Sequence, residues 1–224
     1  MGPAMADESA PQSGNPQPPR WRRRKEARPQ EIVDAALDVF TERGFAATRL
    51  EEIAARAGIS KGTLYLYFPN KEELFKAVVR SAIVPNLEMA ERLLGGFPGP
   101  SMEILRQLVE GIGGRVMTSK VGGIPKLMIA EAGNFPDLAR FYFDEVIGRG
   151  FRVIGAVLER GIARGEFRSV NVDHTVRLII APMLMIALWR SSFEPVEGKP
   201  LDVPGLIAEH LDHLRRALDP GGEP

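Results

Sequence analysis

The stretch GISKGTLYLYFPNKEEL, residues 58–74, decides how the rest of the chain is read. It sets a glycine, two tyrosines, a leucine and a lysine into two helical turns and the start of a further helix. Ser60 is a residue type that caps helix N-termini, so a helix is expected over 61–68, and Pro69 stops it. Asn70 with Glu73 three residues on has capping-box spacing and opens the next helix. Within 61–68, Leu64 and Phe68 lie one turn apart and are expected to face the core. At about 100° per residue the opposite side carries Gly62 and Leu66, flanked by Thr63 and Tyr65. A glycine there costs roughly 1 kcal/mol of helix stability. Close approach of the backbone to something outside the chain would justify it. Single exposed leucines are ordinary, but Leu66 in this setting suits a thymine methyl.

Upstream, Ile32, Ala35, Ala36, Val39 and Phe40 recur at helical spacing until Gly44. Thr48 and Glu51 have capping-box spacing, and Leu50, Ile53, Ala54 and Ala57 form one apolar stripe ending at Gly58. Two short helices joined by AGIS, 57–60, have the proportions of a helix-turn-helix whose second helix enters the major groove. On that reading Lys61, Thr63 and Tyr65 reach base edges or phosphates, and Tyr67 a flanking phosphate. Thr48 and Arg49, at the start of the preceding helix, join the expected DNA contacts. Lys71 sits in the first turn of its helix, where a cation opposes the macrodipole and an external phosphate would reverse the sign. The basic run WRRRK, 21–25, either follows the DNA or is a solvated arm.

Composition narrows the classes. The 224 residues are 44% apolar, enough for a proper core, and the formal net charge is zero. That charge is uneven: residues 20–80 carry 13 Lys and Arg against 9 Asp and Glu, whereas the stretch from Ser81 onward carries 16 against 18. With no cysteine there is neither a disulfide framework nor a thiolate metal site, so a cytoplasmic protein is expected. The longest apolar run, LIIAPMLMIALW at 178–189, is too short to cross a bilayer and reads as a buried helix, so no membrane partner is expected. Residues 1–19, rich in Pro, Gly, Ser and Gln, have the composition of a disordered tail.

Further helices are expected over 71–94 with a kink at Pro85, then 101–118, 124–132, 135–164, 172–193 and 203–218. No segment reads as a strand. The fold class is all-α, about nine helices: a tail and basic arm over 1–25, a three-helix DNA-binding head over 26–70, and a larger helical body over 71–224.

The residues Thr48, Ile53, Ala54, Ala57-Gly58-Ile59-Ser60, Gly62, Tyr65, Tyr67-Phe68, Lys71 and Leu74, preceded by ALDVFTERGF, have the order and spacing of a known family. The chain resembles the TetR family of one-component transcriptional regulators, with the match running from about residue 31 to 79. That resemblance implies a homodimeric, usually repressing, DNA-binding protein with an effector pocket in its body, and no cofactor. It implies phosphate contacts at Thr48, Tyr67 and Lys71, and groove contacts at Lys61, Thr63 and Tyr65. It also implies that the last two long helices pair with a second copy's as a four-helix bundle, over a palindromic operator. Met89, Met117, Met128, Phe141, Phe151, Met183 and Trp189 are candidate linings for an apolar effector, and Arg177 a partner for an effector carboxylate. The expected switch is a swing of the fourth helix that changes the spacing of the two heads.

Two other classes compete. An enzyme has little support, with three histidines in all, no cysteine and no phosphate-binding glycine loop; His210 and His213, beside Glu209 and Asp212, have metal-pair spacing but also suit a polar stripe at a dimer seam. A helical adaptor of the same fold, acting through protein contacts, would lack phosphate-binding residues in its head.

Overall fold

The structure, a computed structural model, describes residues 20–221, with side chains from Pro29 onward except that of Arg115. Among these residues there is no strand. Twelve α-helical segments follow one another: α1 Arg20–Arg43, α2 Leu50–Arg56, α3 Lys61–Tyr67, α4 Lys71–Ala82, α5 Val84–Gly96, α6 Ser101–Val109, α7 Gly123–Glu131, α8 Pro136–Tyr142, α9 Gly148–Ala163, α10 Val172–Ser192, α11 Glu194–Glu197 and α12 Val203–Leu218. The tail over 1–19 lies outside the described residues.

Helix boundaries differ from expectation where local chemistry outweighs apolar periodicity. The first helix begins at Arg20 and takes in the basic run, because Arg, Lys, Glu and Ala favour helix whether or not an apolar stripe has started. The helix expected over 71–94 is broken at Ile83, with Pro85 in the first turn of α5, where its missing N–H is harmless. Two wide π turns, Glu110–Val116 after α6 and Phe143–Ile147 between α8 and α9, interrupt what read as continuous helices.

The apolar side chains form two cores. The first joins the head to α4, α7 and α8 around Phe40, Phe45 and Phe75, all essentially inaccessible, with ring centroids 5.4 to 5.6 Å apart. The second holds α6, α9, α10 and α12 together through Leu105, Val157, Leu158, Ile179, Met183 and Ile186. At Gly113 the π turn after α6 meets α10 and α12 so closely that an added Cβ would lie 2.3 Å from Ile207 Cδ1 and 3.0 Å from Met183 Cγ. A larger residue there would have to displace the ends of the Ile207 and Met183 side chains.

By length and composition α10 could cross a membrane: it has 21 residues and a mean hydropathy of 1.5 over its best window. The run 178–189 is therefore part of a helix long enough to span a bilayer. Only 28% of that window is buried, so α10 is not the buried helix expected: one face packs into the second core through Val176, Ile179, Met183 and Ile186. Its other side leaves Leu178 68% and Met185 39% exposed, seven residues apart on one face.

Candidate DNA interface and effector cavity

The turn between α2 and α3 is built by its own sequence. Gly58 adopts φ +65°, a left-handed conformation that glycine enters without strain, and Ile59 then turns inward. The Ser60 hydroxyl accepts from the Thr63 backbone N–H at 3.1 Å, capping α3, and its oxygen lies 2.8 Å from the Thr63 hydroxyl. Leu64 is completely buried, and Phe68 and Tyr67 pack partly against the head core. The far side of α3 is bare. Leu66 is 84% exposed, Tyr65 is 44% exposed, and a Cβ on Gly62 would meet nothing closer than the Ser60 hydroxyl at 3.9 Å. Among the described residues nothing requires a glycine at 62 or covers Leu66.

Other head residues are engaged internally. Lys61 forms an ion pair with Glu51, holding that carboxyl below its ordinary range, and its ammonium lies 5.8 Å from the Tyr65 ring centroid. Thr48 is buried and its hydroxyl donates to the Gly44 carbonyl at 2.6 Å. The expected Thr48–Glu51 capping box does not form: Arg49 is the cap residue, and its N–H meets the Glu52 carboxylate at 3.4 Å. Register moves by one because Thr48 turns into the head and Glu51 turns out to Lys61. Arg49 itself is exposed.

Lys71 departs furthest from expectation. Its ammonium donates to the carbonyls of Phe45, Ala46 and Thr48 at 2.7, 3.1 and 3.1 Å, and stands 4.6 Å over the Phe45 ring. All three protons are spent on the turn between α1 and α2. The geometry makes Lys71 a clasp for that turn, and the negative partner that its place in the helix seemed to demand is supplied by carbonyl dipoles. Asn70 caps α4 as expected, accepting from Glu73 N–H at 2.8 Å.

The body encloses a cavity of about 450 Å³, within the range of small-molecule sites. Its walls come from α5, α7, α8, α9, α10 and both π turns: Ile112 and Val116 from the first turn, Phe143, Val146 and Ile147 from the second. Ile83, the residue that ends α4, also reaches it. Ile129 and Phe143, 57% and 50% exposed, mark where it meets the surface. Among the described residues no charged side chain lines it; Asn86 and Tyr142 bring the only side-chain polar groups.

The cavity wall is fastened to the head. Glu131, at the end of α7, accepts from the Ala46 N–H at 2.9 Å. Phe135 packs edge-on against Phe45 at 4.8 Å between centroids, and Lys120 pairs with Asp38 of α1 at 2.6 Å.

Comparison with known proteins agrees with this architecture. Residues 32–78 match the family described as bacterial regulatory proteins, tetR family, and residues 99–198 match a tetracyclin repressor-like C-terminal domain. The HTH-type transcriptional regulator RutR of Escherichia coli O157:H7 is 49% identical over 206 residues, covering 88% of this chain and 92% of RutR. The chain belongs to the TetR family. Among solved structures it is similar to the TetR-type fold of FadR from Bacillus subtilis in complex with stearoyl-CoA, with TM-score 0.71 and 20% identity over 84% of this chain and 98% of that one. The ketosteroid transcriptional regulator KstR2 of Mycobacterium tuberculosis gives TM-score 0.67 and 25% identity over 86% of this chain and 95% of its own. The relatives of this TetR-family chain are transcriptional regulators.

Of the residues expected to line an effector pocket in this TetR-family body, Met117, Met128 and Phe151 line the cavity. Five do not. Met89 is 53% exposed on the outer face of α5. Phe141 lies under the cations of Arg80 and Lys76. Arg177 donates to the Asp173 carbonyl and covers Phe151 with its guanidinium 5.1 Å from the ring. Met183 is buried in the second core, and Trp189 donates its indole N–H to Glu197 while packing on Phe193. Tyr142 and Phe143, the neighbours of Phe141 in RFYFDE, face the cavity instead. One residue is about 100° of helix, so choosing the right member of an aromatic run needs the packing.

His210 and His213 also part company. His210 is half-buried with Nε2 3.0 Å from the Ile179 carbonyl, and burial lowers its pKa; His213 is exposed beside Glu209 at 3.4 Å. Among the described residues no three His, Asp or Glu side chains converge as a metal site.

Proposed function

We propose that the chain is a cytoplasmic, effector-responsive repressor that binds a palindromic operator as a homodimer and leaves it when a small apolar molecule fills the body. The bare side of α3 supports this reading most strongly: a helix anchored by Leu64 on one face turns Gly62, Leu66 and Tyr65 outward, and among the described residues only the Lys61 ammonium stands near the Tyr65 ring. Arg49, Lys61, Thr63 and Tyr67 flank that face. Lys61 reaches DNA by exchanging Glu51 for a phosphate or base acceptor, an exchange between exposed partners that costs little. Thr48 and Lys71 act on DNA indirectly, through the turn they brace and the α4 N-terminus beside it.

Dimerisation would use the outer face of α10 with Leu178 and Met185, continued by Phe193, Val196 and Leu206, all exposed in the single chain. Two routes join cavity to head. Ile83 reports cavity filling at the end of α4, and α7 carries it to the turn between α1 and α2 through Glu131. Both change the angle of the head, and an effector acts to the extent that it binds one angle better than the other.

The deciding experiment selects bound duplexes from a random pool, with and without a small-molecule library, and follows the salt dependence of binding. A TetR-type reader loses affinity steeply as salt rises and enriches an inverted repeat. Leu66→Ala should keep the melting temperature and lose enrichment at one position of each half-site. Flat salt dependence with no enriched sequence would overturn the proposal.

A further inference from the structure

Tyr142 is 7% exposed, lines the cavity, and makes no hydrogen bond to any described residue. Among the described residues no buried side-chain oxygen or nitrogen lacks both a partner and accessible surface, so the phenol oxygen keeps its access through the cavity. Burial pushes the phenol's pKa up, so it is an O–H donor throughout the physiological range. Asn86, across on α5, uses its amide N–H on the Ala82 carbonyl at 3.0 Å, which leaves its side-chain oxygen to accept. A buried donor without a partner costs about 1–3 kcal/mol relative to a satisfied one, and in a protein built for packing alone phenylalanine would serve at 142. The remaining wall is hydrocarbon, with no described Lys, Arg, Asp or Glu. A charged group moved there would leave water and gain no counter-ion.

We infer that the effector is an uncharged amphiphile, an apolar body with one hydroxyl or carbonyl that accepts a hydrogen bond from Tyr142, and that Tyr142 selects it. This rests on the effector-cavity reading above and narrows it. Carboxylates, acyl phosphates and other anions are excluded by the wall, and pure hydrocarbons bind without satisfying the phenol.

The test uses three probes of one chain length, dodecanol, dodecanoate and dodecane, competing with an apolar fluorescent reporter for the full-length protein at neutral pH. Dodecanol should bind about tenfold more tightly than either of the others, the ratio that one satisfied buried hydrogen bond provides. In Tyr142→Phe, which removes a single oxygen, dodecanol should fall to the level of dodecane while dodecane is unchanged. If no probe displaces the reporter, the effector cavity itself fails. If dodecanoate binds as well as dodecanol, or Tyr142→Phe weakens all three alike, the cavity stands and the inferred ligand class is wrong.

Discussion

The head and the body solve opposite packing problems. Around Phe40, Phe45 and Phe75 the head is filled: three rings in mutual contact, Leu64 and Ile53 sealed against them, and Lys71 closing the turn above. The body, with more helix and a second well-packed core, keeps a hollow of about 450 Å³ between α5, α7 and the π turns. A filled core fixes one geometry, because displaced side chains have nowhere to go. An apolar hollow leaves its wall atoms without dispersion partners on one side. The difference assigns rigidity to the part that must fit a groove and adaptability to the part that must respond.

The contrast is most exposed to a pair of truncations. Phe75→Ala should cost about 3–5 kcal/mol, because it opens a void in the filled core. Ile147→Ala, in the cavity wall, should cost about 1 kcal/mol, because that side chain already lacks neighbours on one side. Melting curves of both variants check this, and equal losses would erase the distinction between regions.

Lys71→Ala comes next. It strips three carbonyls of one donor and should cost about 1–3 kcal/mol, read as a lower midpoint in urea, with DNA affinity falling alike on every sequence. Loss of DNA affinity with unchanged stability would return Lys71 to direct phosphate contact. Smaller still is the tether between regions. Glu131→Ala should speed hydrogen exchange at the Ala46 amide by about tenfold, as expected for loss of one hydrogen bond, and unchanged exchange would show that α7 does not hold the turn.

The smallest effect is a slope in pH. Burial lowers the pKa of His210, so below its ordinary value of about 6.5 the unfolded chain binds the proton first. Stability should therefore decline as pH falls through the unfolded value towards the lower folded one, and be fully present above it. Thermal midpoints followed from neutral pH to about pH 5 should show a shallower decline in His210→Gln.

Legibility divides along the same line. Caps, the left-handed glycine and a two-sided helix are local, so Ser60, Asn70, Gly58, Leu64 and Leu66 could all be placed from spacing. Lys71 was visible as an anomaly, a cation at the wrong end of a helix, but its partners lie 23 to 26 residues away. The cavity gathers residues from Ile83 to Leu184, and an apolar side chain facing a hollow has the same sequence pattern as one facing a neighbour. Hence Met117 and Met128 were found and Met183 was not distinguishable from them. Tyr142 carried a usable signal in retrospect: a phenol among phenylalanines needs somewhere for its oxygen.

Glu110–Val116 ends α6 in a turn, whereas the wide turn Phe143–Ile147 holds a surplus residue between α8 and α9. Helix on either side keeps its own phase, so Tyr142 faces the hollow while Val153 and Val157 address the second core. Deleting one residue from that turn would restore ordinary pitch with α8 and α9 still in phase, whereas deleting one from α9 itself would rotate everything beyond it by about 100°. Chain length within the helices is consequently as constrained as any side chain, while the exposed connections between them are free to lengthen.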